Sequence, residues 1–197
     1  MTARTEITRD DIMSFDDYAA VRRERRARMT EIKRARRVSL GPDATFYFEN
    51  FDTMWHQIHE MLHIERGGEE QIADELAAYN PLIPKGRELV ATLMFEIDDA
   101  ERRDRFLAGL GGVEDTVTLT LGDQIVRARP EEDLDRTSAD GKASSVQFLH
   151  FPFTDDQAAL FRDADVRAVL AIEHEKYPHM TLLTGATRDA LAGDFSD

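Results

Sequence analysis

The chain has 197 residues, 42% of them hydrophobic and 32% charged, which suits one folded domain with its own core rather than a disordered chain. It contains no cysteine, which excludes disulfides, thiol nucleophiles and iron–sulfur ligation by this chain, so any metal would need His, Asp or Glu. The formal net charge of −14 makes it a poor general nucleic-acid binder, since phosphate attraction needs positive surface.

Taken in chain order, the opening MTARTEITRDDIMSF lacks the apolar stretch of a signal peptide. No later apolar run approaches the ~18 residues of a membrane helix, so a cytoplasmic location and no membrane partner are expected. Ser14-Phe15-Asp16-Asp17 has the form of a capping box, and the proline-free stretch after it predicts a helix from Phe15 to Arg36. Tyr18, Val21, Met29 and Ile32 share one face of that helix. From Arg22 to Arg37 there are nine basic residues against two acidic ones, a local charge of +7 that leaves −21 for the rest. Such a run is either a solvated face or a surface for a partner or anion, with Arg22, Arg25, Arg28 and Arg36 as candidate partner-binding residues.

Val38-Ser39-Leu40 and Thr45-Phe46-Tyr47-Phe48 flank the turn Gly41-Pro42-Asp43-Ala44 and predict a hairpin. A helix then follows, capped by Asn50 or Asp52 and stopped by Gly67-Gly68. Glu69 to Tyr79 reads as another helix, ending before the loop Asn80-Pro81-Leu82-Ile83-Pro84. Beyond it, Leu89 to Ile97 is apolar and short enough for a buried strand, and a charged helix is expected from Asp99 to Leu110. Thr116 to Leu121 alternates strictly, and Gly122-Asp123 turns it into Gln124 to Ala128. After a polar loop from Arg129 to Ser144 come a strand from Ser145 to Phe153, a helix from Asp155 to Asp163 and a strand from Val166 to Ile172. A short extended piece, Met180 to Leu183, precedes a terminal helix. The expected fold class is α+β: one domain spanning 1–197, with a mostly helical part over 1–84 and a strand-helix-strand sheet part over 85–197, packed on an antiparallel or mixed sheet.

The chemistry concentrates in HQIHEMLHIE, His56 to Glu65. Met54, Trp55, Ile58, Met61 and Leu62 cluster on one side of this helix; His56, His59, Glu60 and His63 fall on the other, facing water or a cleft. His59 and His63 are one turn apart, so both rings could reach one divalent ion, and Glu60 could take a proton from its bound water, as in HExxH hydrolases. Zinc or iron would be the cofactor of that reading. A third ligand is needed, yet Arg66 and Glu69 occupy the positions of a GxxH continuation. His174 and His179, in the turn His174-Glu175-Lys176-Tyr177-Pro178-His179 after a core strand, could complete the set. Glu65 falls inside the apolar stripe and needs a partner such as Arg25 or Arg28, while His150 reads as a satisfied sheet histidine.

In order, RRVSLGP, FEN followed by Thr53, EML with Glu65, AYNPLIP, ATLMFE, SSVQFLHF and the turn from His174 to Tyr177 resemble a bacterial family catalogued as domain of unknown function number 3501. The resemblance covers nearly the whole chain and assigns no activity; His59 with His63 is not part of the family pattern. It implies members encoded near rubrerythrin-like and iron–sulfur oxidoreductase proteins, hence partners of that kind in a redox, peroxide-stress or metal-handling setting. Two functions stand side by side: an accessory protein acting through protein contacts, and a metal-dependent enzyme with His59 and His63 as ligands and Glu60 as base.

Overall fold

Which strand residues are apolar decides the layering of this molecule. The computed structural model describes residues 4–131 and 141–196. Among the described residues, nine strands form two antiparallel sheets. The first runs in the order β1 (Arg37–Leu40), β2 (Ala44–Glu49), β3 (Glu88–Phe95), β7 (Val146–Pro152) and β6 (Arg129–Pro130). The second runs β5 (Gln124–Arg127), β4 (Val117–Leu121), β8 (Ala168–His174) and β9 (Tyr177–Leu182). The register pairs Phe46 with Leu93, Ala91 with Leu149 and Leu119 with Leu170. Phe46, Phe48, Leu93, Leu149 and Phe151 of one sheet and Val117, Leu119, Leu121 and Leu170 of the other form one core between them.

The opposite face of the first sheet is buried too. Val90, with Phe148 at its margin, meets Met54 and Ile58 of α2 (Phe51–Glu65), Leu82 and Ile83, and Ile7 and Ile12 from the amino-terminal segment. Burial on both sides is why β3 reads as a nearly unbroken apolar run. Helix α1 (Phe15–Arg34), capped by Ser14 through the Asp17 amide, packs on α2 rather than on a sheet and buries only Tyr18 and Met29. Helix α3 (Gly68–Tyr79) follows α2. The helices α4 (Ala100–Leu107), α5 (Asp155–Arg162) and α6 (Gly185–Ala192) add Leu107, Phe161 and Leu191 to the inter-sheet core.

The fold is α+β, as the pattern predicts, but the hairpin of residues 37–49 pairs through β2 with β3, so the first sheet draws on both expected halves of the chain. The left-handed residue that ends α2 is Arg66 (φ 55°), ahead of the expected Gly67-Gly68 stop. Of the loop expected from Arg129 to Ser144, residues 132–140 lie outside the described residues, and Arg129–Pro130 form β6. No described helix is long and apolar enough to cross a membrane.

Candidate functional site

The α1–α2 contact builds the site. Phe15 stacks on His63 (ring centroids 4.9 Å apart), Tyr18 packs on His59 (4.8 Å) and the Arg25 guanidinium sits 5.0 Å from the Trp55 ring. That order of contacts makes the helices antiparallel and covers the histidine-bearing face of α2. Of the two expectations for this face, water or a cleft built by another element, the first is corrected: α1 is the other element, and His56 and His59 are buried, 9% and 2% exposed. A helical wheel finds the apolar stripe of one helix but carries no information about a second helix laid across its other side.

Beneath α1 lies a polar network. Arg22 grips Glu60 with two bonds, Nε to Oε1 and Nη2 to Oε2, each 2.8 Å. Tyr18 Oη donates to Glu60 Oε1 at 2.8 Å and lies 3.3 Å from His56 Nδ1. With the phenol proton committed to the carboxylate, His56 Nδ1–H is the donor in that second bond. The Arg22 guanidinium, followed by the Tyr18 hydroxyl, holds Glu60 down to about 2, while burial and the Glu60 carboxylate push Tyr18 well above the usual phenol range. A carboxylate so stabilised is a poor proton acceptor at neutral pH, so Glu60 serves as an anchor between helices rather than the predicted base.

His59 is equally committed. Its Nε2 accepts the Met13 amide (3.0 Å), which fixes Nδ1 as the protonated nitrogen donating to the Trp55 carbonyl (2.7 Å). Burial lowers its pKa, consistent with a neutral ring. Neither nitrogen has a lone pair left for a metal in this conformation. His174 Nδ1 accepts the Lys176 amide in the β8–β9 turn, and His179 packs against the Tyr177 ring on the second sheet. The four predicted ligands His59, His63, His174 and His179 are not brought together, and no group of three or more His, Asp or Glu side chains converges for an ion among the described residues.

A further correction concerns the charged candidates. Glu65 is exposed and accepts from Gln71 Nε2 (2.9 Å), without Arg25 or Arg28. Arg36 is buried, donating to the Phe48, Glu49 and Ala190 carbonyls and pairing with Asp194, so it presents no partner surface. Arg22 is spent on Glu60, which leaves Arg25 and Arg28 as the exposed members of the predicted partner-binding set. His150 is satisfied as expected, with Nδ1 3.1 Å from Glu88 and Nε2 2.9 Å from Glu131, and these carboxylates raise its pKa.

Two concavities flank the α1–α2 seam, with His63 in the wall of each. A groove of about 670 Å³ runs along α1, lined by Arg22, Arg23, Arg26, Lys33 and His56 among others. A cavity of about 530 Å³ opens between the start of α1, the end of α2 and the start of α3. A smaller cavity, about 270 Å³, lies beside Glu49, whose carboxylate accepts from Thr53 Oγ1 (2.6 Å) and Thr92 Oγ1 (2.9 Å). The sequence reading missed this buried carboxylate; Phe46 and Phe48 facing the inter-sheet core was the signal that Tyr47 and Glu49 face the helices.

The comparisons with known proteins bear on this whole arrangement. The family described as "Protein of unknown function (DUF3501)" matches residues 6–195. The chain belongs to the DUF3501 family. This is the family the sequence blocks resemble, and its match spans every residue of the α1–α2 site. The chain is also similar, at 38% identity, to a protein of Burkholderia pseudomallei K96243 described as a novel protein of unknown function. That crystal structure matches with a TM-score of 0.90, over 98% of this chain and 100% of that one. No curated protein matches. Membership in DUF3501 thus fixes the fold and assigns no chemistry, which leaves the site geometry to argue function.

The Glu60 anchor makes a pH-dependent expectation. Its folded pKa, about 2, lies below the ordinary 4.5, so its stabilisation is complete above pH 4.5 and is lost as pH falls from there toward 2. Glu60→Gln keeps the hydrogen-bond shape but removes the charge. It is expected to lose about 2 kcal/mol at neutral pH and to flatten the acid limb of the stability curve. Urea unfolding across that pH window reads both effects; an acid limb as steep as the wild type's would show that the pair stabilises nothing.

Proposed function

We propose that this protein is an accessory binding protein that docks an acidic protein partner on the cationic face of α1. The observation that carries the reading is charge left unpaired. Arg23, Arg26 and Lys33 are exposed along one groove of α1 and form no ion pair among the described residues, in a chain of net charge −14. Cations that serve the fold are paired, as Arg22 and Arg36 are. A stripe of unpaired ones on an acidic protein orients it toward a negative surface and speeds encounter. The redox or metal-handling setting implied by the family resemblance makes a rubrerythrin-like or iron–sulfur oxidoreductase protein the first partner to assay.

The test is binding of such a partner at low and high salt, with a charge-reversed protein carrying Arg23→Glu, Arg26→Glu and Lys33→Glu. Exposed charge contacts weaken with screening, and the reversal is expected to weaken binding ~100-fold, because like charges then face each other. A partner held equally by the reversed protein removes this surface from consideration. The enzyme reading on the HExxH helix would first have to break the Met13 and Trp55 bonds of His59 and the Arg22–Glu60 pair.

A further inference from the structure

We propose that the cavity at the junction of α1, α2 and α3 binds a small organic carboxylate carried on an apolar hydrocarbon body. This is a separate site from the α1 docking face and depends on different residues, so either reading can fail alone.

The volume, about 530 Å³, falls within the ~300–1,000 Å³ of small-molecule sites. Met13, Phe15, Leu62 and Ile72 supply apolar wall, which sets the body of the ligand. The His63 ring belongs to the wall, held firmly by its stack on Phe15, 4.9 Å between centroids and 7° from parallel, with its Nδ1 buried out of reach of the cavity. One polar feature sets the head of the ligand. The Arg66 guanidinium stands 5.0 Å from the same Phe15 ring and forms no ion pair among the described residues.

The other charges on the wall cancel. Glu69 is its carboxylate, and Arg9 holds it through bonds of 2.6 and 2.9 Å. Arg66 is therefore the uncompensated charge, and it is positive. A neutral hydrocarbon would leave Arg66 unpaired, and an amine would be repelled. A carboxylate can accept from its guanidinium. The tight exit of α2 places Arg66 there, since its left-handed backbone (φ 55°) turns the chain from α2 toward α3.

That backbone also supplies a variant that separates binding from folding. Glycine adopts the left-handed region freely, so Arg66→Gly removes the cation while relieving strain. Leu62→Trp fills the cavity from its wall. The probe is anilinonaphthalene sulfonate, an apolar body with an anionic head, displaced by decanoate, decanol or decylamine. Wild-type protein is expected to enhance the probe's fluorescence and to release it to decanoate, with decanol and decylamine at least tenfold weaker. Arg66→Gly is expected to weaken decanoate binding about tenfold with an unfolding midpoint unchanged or raised, and Leu62→Trp to abolish probe uptake. Decanol competing as well as decanoate, unchanged decanoate affinity in Arg66→Gly, or undiminished probe uptake by folded Leu62→Trp would each overturn the assignment.

Discussion

Arg36→Ala is expected to lower stability by about 3–5 kcal/mol, the cost of stripping one partner from a buried ion pair. Domains of this kind have only about 5–15 kcal/mol to lose. The Arg36 side chain is 5% exposed and that of Asp194 8%. Its Nε donates to the Phe48 carbonyl at 2.9 Å, Nη2 to the Glu49 carbonyl at 3.0 Å and Nη1 to the Ala190 carbonyl at 3.2 Å. One guanidinium therefore ties the end of β2 to α6 and the carboxyl-terminal turn. Alanine leaves three carbonyls and a buried carboxylate without it. Burial already raises the Asp194 pKa, against the pull of Arg36. A raised folded pKa means that the ionised group costs stability, so the penalty should shrink as pH falls toward the usual carboxylate value, through the higher range in which the folded Asp194 takes a proton. Urea titrations at neutral and acid pH measure both parts. A loss under about 1 kcal/mol, the scale of an exposed pair, would mean that the lock carries little.

Arg36 also shows where sequence reasoning stops. It sits in a run of nine basic residues and reads there as a candidate partner-binding residue, because local charge counts are blind to burial. What was legible was local. Ser14-x-x-Asp17 announces α1, the alternation from Thr116 to Leu121 announces β4, and Gly122-Asp123 announces the turn into β5. These follow from backbone geometry repeating every 3.6 or 2 residues. What was hidden was contact across the chain. Nothing local says that β2 pairs with β3, some 40 residues on, or that α1 lies over the histidine face of α2.

The HExxH spacing was real, and so was its geometry on one helix. Its meaning changed because Met13, Trp55, Tyr18 and Arg22 occupy the groups a metal and a reacting water would need. Of the predicted site residues, His63 stands in a cavity wall, and Arg25 and Arg28 keep their exposure. The Arg66 turn escaped notice because glycine is the expected C-terminal residue of a helix and two glycines stood next in line.

Tyr177→Phe is the second large effect expected, about 3 kcal/mol, from the loss of a single oxygen. Tyr177 projects from β9 of the second sheet, and its hydroxyl serves the β1–β2 turn of the first. The hydroxyl accepts the Asp43 and Ala44 amides, each at 3.0 Å, and donates to the Leu40 carbonyl at 2.7 Å. Phenylalanine keeps the edge contacts of the ring with Phe95 and Phe106, so little packing is lost. Two amides and a carbonyl are left in a buried place without a partner, at roughly 1–3 kcal/mol for each group that water does not reach. The fit there is close: a Cβ on Gly41 would lie 2.5 Å from His179 Cδ2 and 2.6 Å from Tyr177 Oη, on a residue with φ +69°. Gly41→Ala should therefore mimic the Tyr177 variant by pushing the turn off the ring. Amide exchange at Asp43 and Ala44 separates this account from a general loss of stability. Those two amides should exchange faster in Tyr177→Phe than the shift in global stability requires, while Phe46, in the middle of β2 and paired with Leu93, follows the global value. If all three amides moved together, the hydroxyl would be one contact among many rather than the tie between the turn and the second sheet.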